Sequence, residues 1–231
     1  MIYAMTEKGA QLLAETDNIE RTAIKWQRHL NVVQPTHIQH LLEVNDILIT
    51  FRTDLEIAKH AGRIADYRVL RGDPKKHRLK VQLMNKTGHR EDVSVIPDAI
   101  VLLQPQDGQH GVFFVEVDRG TMTTGRWVEK VEVYRDYSQG HKLQADWRSQ
   151  WAILLAVTPS EKRLLSIAQK TVEAGGRRGF WFTTEDCIIL GSVLTPIWTR
   201  GTDLFQLRNE KLSKLATYAD ADRQSLLDAL R

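Results

Sequence analysis

The sequence predicts an α/β protein with a mixed central sheet flanked by helices, and three observations carry that expectation. From Asp66 to Asp118 short runs of strand character alternate with turn residues, the pattern of an antiparallel meander. From Val112 to Thr183, apolar runs alternate with amphipathic segments of helical spacing, which gives strand–helix–strand–helix–strand. Trp151–Val157 is continuously apolar, as suits a central strand covered on both faces.

Taken in order, Met1–Met5 reads as one short strand, and Thr6–Gly9 turns into a helix over Ala10–Glu15. A strand, a turn and a short helix cannot bury a core alone. Asn18–Asn31 reads as a charged linker with a helical turn. Pro35 and Thr36 then start a long amphipathic helix whose apolar stripe runs from Ile38 through Val44, Ile47, Leu48, Phe51 and Leu55 to Ile57. Strands follow at Asp66–Leu70, Leu79–Met84, Asp92–Ile96, Ala99–Leu103 and Val112–Asp118, with Asn85–Gly88 as a hairpin turn. Thr124 is placed to cap a helix over Arg126–Tyr137, where Trp127, Val131 and Tyr134 recur at helical spacing. After the Trp151–Val157 strand, Thr158-Pro-Ser-Glu161 caps a helix that ends at Gly175-Gly176. Phe180–Thr183 returns as a strand, Glu185–Leu190 as a helical turn, and a polar helix closes the chain after Asn209.

Composition narrows the function classes. With 231 residues, 42% hydrophobic and 26% charged, the chain buries one sizeable core plus a small appendage. A net charge of +3 permits a nucleic-acid partner without demanding one. Basic residues cluster at Arg68, Arg71, Lys75, Lys76, His77, Arg78 and Lys80, and again at Arg177-Arg178; a solvated surface would read the same way. The single cysteine, Cys187, excludes an internal disulfide and a cysteine-rich zinc site and fits a reducing, cytoplasmic location. No apolar run is long enough to cross a bilayer, and no secretory leader is recognisable. His37 and His40 form an i, i+3 pair that, without further ligands, makes a poor metal site.

The chemistry-bearing pattern lies in Ile96–Asp118. Asp98 opens one apolar strand, and Glu116 and Asp118 close the next, projecting from one side of it because strand side chains alternate. If those strands pair through the Pro105–Gln109 turn, three carboxylates gather at one sheet edge and repel unless a cation sits among them. Mg²⁺ or Mn²⁺ suits such hard oxygen donors. A solvated strand edge with a turn aspartate is the competing reading. On the following helix, Lys130 stands four residues from both Arg126 and Tyr134 and can lean toward the strand ends; a solvated helix lysine is its ordinary reading.

Asp98, then Glu116-x-Asp118, then a helix carrying Lys130 resemble the PD-(D/E)xK nuclease arrangement, in a version whose lysine has moved from the strand to the next helix. More closely, Pro97-Asp98, Val115–Thr121, the Lys130/Tyr134 helix, Leu154–Thr158 and Pro196-Ile197-Trp198 resemble the replication-relaxation family of plasmid and mobile-element proteins, over nearly the whole chain. The resemblance implies a restriction-endonuclease-like core over 32–231, with 1–31 as a linker and the remnant wing and last helix of a winged helix.

It further implies metal-assisted hydrolysis of a DNA phosphodiester. Asp98, Glu116 and Asp118 would hold the metal, and Lys130 would stabilise the developing charge. Arg119 and Arg126 would clamp phosphate, Lys75, Lys76 and Arg78 would contact DNA, and Glu43 on the long helix would assist the metal. Other replication proteins are possible partners under a second reading, a non-catalytic DNA-binding accessory. A tyrosyl-transfer relaxase using Tyr134 or Tyr137 ranks last, because no three-histidine cluster accompanies them.

Overall fold

Period-two alternation along the central strands divides their apolar residues between two faces, and each face acquires its own helices. The computed structural model describes residues 6–24, 35–84 and 87–230. The chain divides into two compact units, residues 1–42 and 43–231. In the first, α1 (Glu7–Thr16) begins at Thr6, whose hydroxyl accepts from the Gly9 N–H. Gly9 therefore lies inside the helix rather than in a turn before it, because the Thr6 cap satisfies an N–H that a helix start leaves open. A short 3-10 turn follows at Arg21–Ala23. The strand expected at Met1–Met5 and the linker beyond Ile24 fall outside the described residues.

The second unit is built on a six-stranded sheet of order β1 (Asp66–Arg71), β4 (Ala99–Gln104), β5 (Gly111–Val117), β6 (Ala152–Thr158), β7 (Phe180–Thr184) and β8 (Thr199–Arg200). β1–β4 and β4–β5 pair antiparallel, β5–β6 and β6–β7 parallel, and β7–β8 antiparallel, so the sheet is mixed as expected. β2 (Leu79–Met84) and β3 (Arg90–Val95) depart from the expected continuous meander and form a separate antiparallel hairpin. β4 takes the place beside β1 that a simple meander would have given to β2.

One sheet face carries Ile100, Val112, Phe114, Leu154, Ala156, Phe180 and Phe182. Against it pack α3 (Thr124–Gln139), α4 (His141–Trp147) and α5 (Glu161–Glu173), through Trp127, Val131, Tyr134, Leu143, Leu164 and Ile167. The other face, with Val101, Phe113, Val115, Leu155 and Trp181, packs against Val44, Ile47, Leu48, Phe51 and Leu55 of α2 (Pro35–His60) and against Trp198 and Leu226. Ile57 is off that stripe and exposed, so the buried row ends on Ala58 instead. β5 is buried at every position, because helices cover both of its faces.

Capping sets the helix starts. Thr123, not Thr124, caps α3 by accepting from the Arg126 N–H. Ser160, rather than the Thr158 that a Thr158–Glu161 capping box would use, caps α5 by accepting from the Arg163 N–H.

The polar helix expected after Asn209 is absent. Residues Phe205–Arg208 (β9) and Lys211–Lys214 (β10) form a hairpin, followed by a 3-10 turn at Leu226–Leu230. Asn209 and Glu210 both take positive φ, 47° and 61°. That is the two-residue turn whose twist matches paired strands, and Asn favours it while Glu does not advertise it.

Candidate carboxylate site at the sheet edge

The C-terminal ends of the parallel strands β5 and β6 lie at one sheet edge, where strand-to-helix loops of α/β proteins gather ligands. Glu116 stands there on the α3 face, 1% exposed. Its Oε2 accepts from the Lys130 ammonium at 2.5 Å and its Oε1 from the Tyr134 hydroxyl at 2.5 Å. Both donors reach it because Lys130 and Tyr134 are four residues apart on α3 and so share a helix face. Burial pushes the Glu116 carboxyl up to about 7 against the pull of Lys130, and the charge of Asp98 raises it further. Burial alone would depress Lys130, but the charge and hydrogen bond of Glu116 outweigh it and hold the ammonium above its ordinary range.

Asp98 sits just before β4, half-buried, and extends the ladder: its N–H donates to the Val115 carbonyl at 3.0 Å. Its Oδ2 accepts from the Val117 N–H at 2.8 Å, which fixes the carboxylate beside the end of β5. The chain leaving β1 crosses here, with the Gly72 N–H donating to the Asp98 carbonyl at 3.0 Å.

Asp118, 3% exposed, faces a different partner. Arg163, in the first turn of α5, reaches both of its oxygens, at 2.5 and 3.0 Å, and also donates to the Met122 carbonyl at 2.7 Å. The guanidinium fork matches the carboxylate, and together with Met122 it ties the Arg119–Met122 turn to α5. Gly120 takes φ +76° in that turn, a conformation that suits glycine. Arg119 pairs with Glu43 of α2 at 3.0 Å.

The structure thus joins Glu116 with Lys130 and holds Asp98 near enough to act on Glu116 electrostatically. It joins Arg119 with Glu43 and leaves Arg126 exposed at the start of α3. Lys75, Lys76 and Arg78 lie exposed in the loop between β1 and β2, where Arg78 donates to the Ser94 hydroxyl at 3.2 Å. Among the described residues, no group of three or more His, Cys, Asp or Glu is arranged to hold a metal ion. Arg163 donates to both oxygens of Asp118, whose charge nonetheless still reaches Lys130 together with those of Glu116 and Asp98.

Asp98 and Glu116 fit a hard divalent ion in kind: both offer carboxylate oxygens, and the buried Glu116 needs positive charge beside it, which Lys130 supplies. Tyr134 and Tyr137 do not suit a tyrosyl nucleophile. Both are buried, their hydroxyls donate to Glu116 and Asp146, and burial first, then the carboxylate, pushes each phenol well above its ordinary range.

Arg163 escaped the sequence reading. The signal was available: it stands three residues after the Ser160 cap, in the first turn of a helix that follows a doubly covered strand, where a helix start brings side chains back over the strand ends. Its partner could not be read without the pairing of β5 with β6. Among the described residues, no helix is long and apolar enough to cross a membrane.

No curated protein and no solved structure matches the chain significantly. The replication-relaxation family matches residues 1–148, a stretch that holds Asp98, Glu116, Asp118, Lys130 and Tyr134 and ends just before β6. On that match, which spans well over half of its length, the chain belongs to the replication-relaxation family.

Proposed function

We propose that the chain acts on DNA in the replication or relaxation of plasmids or other mobile elements, in the cytoplasm, by metal-dependent nicking at the Glu116 site. The observation that carries this reading is Lys130 reaching Glu116 beside Asp98: an acid pair and a lysine on one sheet edge, the lysine coming from α3. The second unit would then be a restriction-endonuclease-like core, and the first a remnant of a winged helix. Asp98 and Glu116 would hold Mg²⁺ or Mn²⁺, which supplies Lewis acidity and lowers the pKa of bound water. The Lys130 ammonium would shift from Glu116 toward the phosphate and stabilise charge there. Tyr134 would keep Glu116 oriented, and Arg163 would hold Asp118 and the Arg119–Met122 turn so that Arg119 and Arg126 can meet phosphate oxygens. Lys75, Lys76 and Arg78 would contact the DNA backbone away from the reacting atoms.

The test is nicking of supercoiled plasmid with Mg²⁺ and with Mn²⁺. Glu116→Gln is expected to abolish nicking and leave DNA binding nearly intact; Lys130→Ala is expected to lose most of the rate at unchanged metal affinity. Wild type that never nicks, or Glu116→Gln that cuts like wild type, removes the nuclease reading. A second reading rests on Asp118: a carboxylate clamped by Arg163 is what a non-catalytic, DNA-binding accessory that recruits replication proteins would retain for stability.

A further inference from the structure

A groove of about 790 Å³ opens on the β1 edge of the sheet, on the same face as Glu116. Its floor is Leu70 of β1 and Leu102 of β4, each only half-buried. One wall is the loop carrying Lys76 and Arg78, the other the end of α4, where Trp147 and Arg148 sit; Arg68 projects from β1 between them. Glu116 lies four residues beyond Val112, the register partner of Leu102. At ~3.3 Å per residue the two levels are about 13 Å apart along one strand.

The lining combines two chemistries. Arg68, Lys76, Arg78 and Arg148 bring four positive charges against two acids, of which Asp66 is offset by Lys59 at 2.6 Å and Asp146 keeps its charge while accepting from the Tyr137 hydroxyl at 2.7 Å. Trp147 is half-exposed, braced edge-on by Phe114 at 6.2 Å and tilted against His77 at 5.9 Å, and its indole N–H is spent on the Tyr137 hydroxyl. The indole therefore lines the groove in a fixed orientation with no polar demand left to satisfy. Arg148 closes α4 in the left-handed region at φ 53°, so the backbone there turns sharply next to that ring. A duplex offers such a groove only phosphates, whereas a single strand offers phosphates to the rim and unpaired bases to the tryptophan and the apolar floor.

We propose that this groove binds single-stranded nucleic acid and leads it toward the Glu116 site. The substrate class follows from the rim charge, the apolar floor and the braced tryptophan in the wall, and the direction toward Glu116 rests on the nuclease reading above.

The test is anisotropy of a labelled oligodeoxythymidylate with the full chain, over a range of salt. Arg148→Gly removes a cation at a position whose φ glycine adopts freely, so its melting temperature should equal or exceed that of wild type. Affinity is expected to fall about three- to tenfold in Arg148→Gly and in Arg68→Ala, with the slope of log K against log salt smaller by about 0.7 for each cation removed. Lys211→Ala, an equal loss of charge on the exposed β9–β10 hairpin, should bind like wild type. A duplex of the same length should compete poorly. Groove variants that bind like wild type, an equal loss in Lys211→Ala, or a duplex that competes as well as the single strand each overturns the proposal. Plasmid nicking with unaltered oligonucleotide affinity in the groove variants overturns the groove alone. Groove variants that lose affinity in a protein that never nicks overturn the nuclease reading alone.

Discussion

Glu116 concentrates the electrostatics of the molecule in one side chain. Its carboxyl is pushed from 4.5 to about 7 by burial, so between those values the folded chain keeps a proton that the unfolded chain releases. The native state is favoured at the acid end, and that contribution is lost as pH rises from about 4.5 through about 7. The full span corresponds to roughly 3 kcal/mol at most. Denaturant midpoints measured in chelator from pH 4.5 to 8 should therefore decline more steeply in wild type than in Glu116→Gln, whose amide does not titrate. Equal slopes would remove Glu116 as the titrating group. At the same scale, Asp118 and Arg163 form a buried pair whose separation leaves a charge without its partner, a loss of about 3–5 kcal/mol. Arg163→Ala should lower the melting temperature by far more than removal of the exposed Arg126, measured by calorimetry.

Among the elements, the β1 exit and the β4 entrance are the most tightly fitted. A Cβ built on Gly72 would stand 1.8 Å from the Pro97 carbonyl oxygen, and backbone cannot yield as a flexible side chain can. Gly72→Ala should thus cost about 1–3 kcal/mol, the range for overpacking a close contact. It should also raise hydrogen exchange at the Asp98 amide, which is otherwise bonded to the Val115 carbonyl at 3.0 Å. An Ala variant as stable as wild type, with Asp98 still protected, would mean that the crossing is loose. The strap matters because backbone bonds hold Asp98 from several sides, its N–H donating to Val115, its carbonyl accepting from Gly72 and its carboxylate from Val117. A loop residue held this way behaves as part of the sheet.

For the whole molecule, the modest net charge of +3 means that the proposed DNA affinity would come from where the cations lie rather than how many there are. Binding to plasmid DNA is expected to fall steeply from low to physiological salt through counterion release; an affinity indifferent to salt would point to a protein partner instead. Much of this architecture was legible in the order of residues. Periodicity settles the long α2, the central β5 and β6 and the α3 stripe of Trp127, Val131 and Tyr134, because these depend on spacing within one or two neighbouring elements. It places Lys130 where it can lean toward the strand ends, without choosing between that and a solvated lysine. The β9–β10 hairpin in place of a helix is local, but only Asn209 of its two turn residues signals it. The pairing of β1 with β4 in place of β2 and the capture of Asp118 by Arg163 depend on contacts between segments distant along the chain. No local propensity encodes those contacts. Carboxylates at i and i+2 fix a shared side of the strand, but which cation answers each one is decided only when β6 lies parallel to β5 and carries α5 back over the strand ends, since a buried charge takes the partner that packing delivers.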